Sequence, residues 1–168
     1  ASVLLYRLIL LFFLCISNTA WSTNTIAIID DTNSVFNIGH SGSYFIDNAQ
    51  SLSFSDITSD QYAKRFRPIN RDYLQFGLVK GNIWIRTDIA IRTTSNTQVL
   101  LEVNSPRLQY LDIYLPNLYE NQVQAELGGA RPYKNRKIQT PNYVFPIPTN
   151  TPPVFTLYLR LSSHLPIN

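Results

Sequence analysis

Gly81-Asn-Ile-Trp-Ile-Arg-Thr-Asp-Ile-Ala-Ile91 decides the fold. Successive side chains alternate across a β-strand. Read that way, Ile83, Ile85, Ile89 and Ile91 share one face, and only Thr87 breaks the row. Trp84, Arg86 and Asp88 share the other. The first face suits a protein core. The second sets a large indole beside a guanidinium and a carboxylate, an unusual composition for a plain solvated face.

Two further stretches repeat the design. At 108–115, Leu111, Ile113 and Leu115 oppose Tyr110, Asp112 and Tyr114. At 154–162, Phe155, Leu157, Leu159 and Leu161 oppose Tyr158, Arg160 and Ser162. Each strand is aliphatic on one side. On the other, an aromatic ring sits two places from a charge.

That second face suits carbohydrate recognition. A flat ring stacks on the apolar C–H face of a sugar, while Arg and Asp supply forked donors and acceptors to hydroxyls. Rigid aromatics give contact area at low entropic cost. The candidate ligand-binding residues are therefore Trp84, Arg86, Asp88, Tyr110, Asp112, Tyr114, Tyr158 and Arg160. The same row also suits a structural brace, since Arg beside Trp or Tyr forms cross-strand cation–π pairs worth about 0.5–1 kcal/mol when exposed. The pattern alone leaves both readings open.

Further strands are predicted at 25–29, 43–46, 75–78, 82–92, 97–104, 122–127 and 142–146, short and rich in β-branched and aromatic residues. Prolines punctuate the boundaries, among them Pro106, Pro116, Pro132, Pro141 and Pro148. One helix is predicted at 59–65, with Thr58 as cap and Gln61 in the capping-box position. Many short strands and almost no helix predict an all-β fold, and the uneven connections favour a jelly-roll β-sandwich.

Arg7, an apolar run at 8–16, and small residues at Ala20 and Ser22 predict a secretory signal peptide over residues 1–22. Cleavage after Ser22 starts the mature chain at Thr23, leaving one domain at 23–168. The chain stops soon after the strand at 154–162, so a following strand or region is expected. The single cysteine, Cys15, lies within the signal, so the mature domain has no disulfide or thiol chemistry.

Without Arg7, 13 of the 14 Lys and Arg remain against 11 Asp and Glu. Arg65, Arg67 and Arg71 come nearest to a basic run, and Asp60 and Asp72 dilute them. Nucleic-acid binding is therefore not predicted. A glycosidase needs two carboxylates flanking the scissile bond, and nothing fixes the separation of Asp88 and Asp112. His40 and His164 lack metal-ligand spacing, and no nucleophile elbow or phosphate loop occurs. No enzyme activity, catalytic residue, metal or cofactor is predicted.

Five stretches in order resemble a known family: 76–86, 100–116, 128–136, 142–146 and 156–162. Together they resemble the second type of extracellular domain of bacterial seven-transmembrane receptors with diverse intracellular signalling modules (7TMR-DISM), over about 36–168. The resemblance implies a jelly-roll sandwich like carbohydrate-binding modules, acting as a periplasmic sensor. It implies a following membrane region of seven helices, anchored in the inner membrane. It also implies a cytoplasmic output such as a diguanylate cyclase or histidine kinase. It marks Trp84, Arg86, Tyr114, Arg136 and Arg160 as family-typical, and a small carbohydrate as the ligand class. The competing expectation is a structural or interaction module, including a homodimer, that binds no small molecule.

Overall fold

The computed structural model describes residues 25–32, 35–94 and 97–167. The expected signal peptide, Cys15 and the start at Thr23 lie outside the described residues. The strands are β1 (Ile26–Ile29), β2 (Ser43–Asp47), β3 (Arg67–Pro68), β4 (Asn82–Ile91) and β5 (Leu100–Val103), followed by β6 (Tyr110–Tyr114), β7 (Val123–Leu127), β8 (Tyr143–Pro146) and β9 (Val154–Ser162). A seven-stranded sheet has the order β3-β2-β4-β9-β6-β7, with β1 also on β4, and β5 pairs with β8 in a second sheet. From β4 onward the chain passes to the small sheet at β5, returns for β6 and β7, crosses again at β8, and ends in β9. That alternation makes the fold an all-β sandwich.

β4 and β9 form the centre, antiparallel from Ile83↔Leu161 to Ala90↔Val154. β2 pairs with the first half of β4, antiparallel, and β1 with the second half, parallel. The aliphatic faces assigned from alternation turn inward. Ile83, Ile85, Ile113, Leu157 and Leu159 pack with Leu101, Tyr143 and Phe145 of the small sheet in one buried cluster. Thr87 is buried in that row, its hydroxyl sharing a 3.0 Å hydrogen bond with Ser41. Just after β7, Gly128 adopts φ +128°, and a Cβ there would meet the Gln109 carbonyl at 2.0 Å, so only glycine fits.

Two local expectations change. The segment 75–78 forms no strand; it makes a single bridge, Gly77 to Ile167, because Gly77 turns to φ +63°. The helix begins earlier than its expected start at 59. α1 spans Phe54–Thr58, and a separate turn, α2, spans Asp60–Ala63. Ser53 and Asp56 form the capping box: Asp56 N donates to Ser53 Oγ, and Ser53 N donates to the Asp56 carboxylate. The Thr58 hydroxyl donates back to the Phe54 carbonyl at 3.2 Å, so it closes α1 and does not cap α2. Ser59 is extended (ψ 153°) and separates the two turns.

Candidate functional site

Pairing registers align the second face into rows across the large sheet. One row reads Glu126, Asp112, Arg160, Trp84, Phe45 from β7 to β2. The next reads Tyr114, Tyr158, Arg86, Ser43. The sequence-predicted residues are thus neighbours, yet most do not face solvent. The segment 52–66, carrying α1 and α2, straps across this face. Phe54 stacks on Tyr114 at 4.3 Å and 5° between planes, and meets Tyr158 edge-on at 5.2 Å. Phe54 and Ile57 form with Trp84, Tyr114 and Tyr158 a second buried cluster.

Trp84 is 0% exposed. It therefore offers a sugar no open stacking platform, because the strap occupies its face. Its Nε1–H has no hydrogen-bond partner, and the Arg160 guanidinium lies 5.6 Å from the ring centroid. Tyr114 and Tyr158 are nearly as buried. Burial raises both phenol pKa values above the ordinary one; Arg160 opposes the shift at Tyr114, and Arg86 opposes it at Tyr158.

Asp112 is 1% exposed and sits between two arginines. Arg160 donates to Oδ2 through Nε at 2.8 Å and also through Nη2. Arg131 Nη1 lies 2.5 Å from Oδ1 and 3.2 Å from Glu126. Asp88 accepts from Thr156 Oγ1 at 2.7 Å and lies 3.9 Å from Arg86, which reaches over Tyr158. Asp88 and Asp112 are thus both engaged in ion pairs and hydrogen bonds on the sheet. Of the predicted aromatics, Tyr110 is the one with an open ring, backed by Arg131 at 5.5 Å.

Two groups escape the sequence pattern. Phe54 and Ile57 are hidden because the expected cap at Thr58 lies five residues beyond the true one; Ser53 with Asp56 is the signal that could have found them. Arg131 and Glu126 are not among the predicted site residues, though β7 pairing sets Glu126 beside Asp112 and Arg131 falls in the stretch 128–136. Arg136 is clamped between the rings of Tyr133 and Tyr143, at 4.8 and 4.6 Å, and donates to the Thr140 carbonyl.

A cleft of about 220 Å³ opens along β7, one edge strand of the large sheet. Val123, Ala125, Val144 and Phe145 supply apolar lining, and Gln124, Glu126, Asn135 and Lys137 supply polar groups. Asn135 donates to the Glu126 carbonyl at 3.0 Å, which ties the one-turn helix to β7. Tyr133, half-exposed in the one-turn helix Tyr133–Asn135, stands beside this edge.

Among the described residues no group of His, Cys, Asp and Glu has the makings of a metal site, and no helix is long and apolar enough to cross a membrane. One family model, described as 7TMR-DISM extracellular 2, matches residues 39–168. No curated protein matches the chain.

Proposed function

The chain belongs to the 7TMR-DISM extracellular 2 family, and from that premise we infer that it is a periplasmic ligand-sensing domain that takes a small carbohydrate at the β7 edge. As a member it is an extracellular sensor-type domain of seven-transmembrane receptors, which carry intracellular output modules. Its role is recognition, without catalysis.

The observation that carries the site is the grouping at β7. Gln124, Glu126, Asn135 and Lys137 line the cleft, the turn carrying the exposed Tyr133 packs on β7, and the exposed Tyr110 ring is joined to Glu126 through Arg131. Exposed rings offer stacking faces. Amide, carboxylate and ammonium groups offer the donors and acceptors that sugar hydroxyls require. Among the residues predicted from sequence, Tyr110 and the one-third exposed Arg160 extend this surface along the outer face. Trp84, Tyr114 and Asp112 support it from below by holding the arginines and the sheet in register.

A thermal-shift screen of the exported domain against a sugar library, followed by calorimetric titration of the hit, tests this reading. Tyr133→Ala and Lys137→Ala each weaken the hit while the fold is retained. Unchanged affinity in both variants removes the site from β7.

A further inference from the structure

On the sheet edge opposite β7, the chain exposes a surface that sensing does not use. β3 forms that edge, Pro68, Ile69, Arg71 and Tyr73 share a cleft with Tyr44 of β2 beside it, and Lys80 lies by the turn that follows β2, its carbonyl accepting from Gln50. Lys64, Arg65, Arg67, Arg71 and Lys80 are all exposed there. Lys64, Arg67, Arg71 and Lys80 make no ion pair among the described residues, and the nearby Asp72 is held by His40 at 3.1 Å. Tyr73 and Leu78 are 76% and 62% exposed; among the described large apolar residues only Val35 is more so. Arg71 and Tyr73 line one shallow cleft of about 110 Å³.

Cations interleaved with an exposed phenol and an exposed leucine are the chemistry of a lipid interface. Lys and Arg are drawn to anionic headgroups, a phenol sits at headgroup level, and leucine enters the acyl boundary. A second copy fits less well, because a two-fold contact sets one cationic patch against itself. The family is part of a membrane-embedded receptor, so a bilayer is always within reach.

We propose that this edge docks on an anionic phospholipid surface. Arg67, Arg71 and Lys80 meet the headgroups, and Tyr73 and Leu78 enter the interface. Docking holds the β3 edge against the membrane and leaves the β7 edge open to solvent. The proposal rests on the family assignment and is independent of the ligand site, which calorimetric titration tests separately.

Vesicle flotation of the exported chain decides it. Wild type floats with vesicles of phosphatidylglycerol and phosphatidylcholine at low salt, and stays behind with phosphatidylcholine alone. The Arg67→Glu, Arg71→Glu double variant lowers partitioning by more than about tenfold. Tyr73→Ser with Leu78→Ser lowers it without altering its salt dependence. Retained Trp84 emission in both variants certifies the fold. Absence of flotation, undiminished flotation in both variants, or a dimer that the same substitutions dissociate would overturn the proposal.

Discussion

Asp112 shows how a charge is tolerated inside this fold. Its carboxylate is buried; Arg160 hydrogen-bonds Oδ2, and Arg131 adds a second positive charge beside Oδ1 without forming a hydrogen bond to it. Removing one partner of such a pair leaves uncompensated charge. Asp112→Ala should cost about 3 kcal/mol, the low end for a buried pair, since Arg160 remains 33% exposed. The urea midpoint at unchanged slope reads this, and a loss below about 1 kcal/mol would show the pair to be solvated. Tyr114 and Tyr158 carry a different dependence. Their folded pKa values lie above the unfolded value, so the folded state holds its protons longer as pH rises. Their contribution is full below about pH 10 and is lost as pH climbs through the raised folded values. Tyr158→Phe should flatten alkaline unfolding in that window, and an unchanged profile would contradict the burial argument.

At the scale of elements, the strap determines what the outer face does. α1 presents Phe54 and Ile57 to the sheet because the Ser53–Asp56 box sets its start and Thr58 closes it after one turn. The Leu52 amide donates to the buried Asp47 carboxylate at 3.0 Å, which fixes the strap to the end of β2. Phe54→Ala removes the ring stacked on Tyr114 and should cost about 3–5 kcal/mol, with Trp84 emission moving to longer wavelength. Ser53→Ala should cost about 1 kcal/mol in the same denaturation series. The sequence made the strands legible because Phe155 to Leu161 alternates regularly and Ile83 to Ile91 does so with Thr87 as the one break. It could not show what covers Trp84. Strand periodicity says which side chains share a face, and nothing about a distant segment folding over it. The strap's own signal was short: one turn of helix offers only Phe54 and Ile57 to a periodicity test.

Across the whole molecule, two apolar layers lie on the two sides of one sheet. The inner layer was readable from alternation, and Leu159 sits within it, 3% exposed. Leu159→Ala should cost about 2–5 kcal/mol by opening a cavity, checked by equilibrium unfolding. The outer layer joins residues far apart in the chain, Phe54 to Tyr114, and so appears only once the chain is folded. The two proposed sites therefore fall on the edges: polar groups and open rings at β7, cations and exposed apolar residues at β3. The central claim is that Trp84 belongs to this outer layer. The chain has two tryptophans, Trp21 and Trp84, so a Trp21→Phe variant leaves Trp84 as the only reporter. Acrylamide quenching of that variant tests the claim most directly. The account predicts a buried emission with little quenching, unchanged when a bound sugar saturates the domain. Ready quenching that a sugar suppresses would contradict it, and would return the ligand to the face of Trp84.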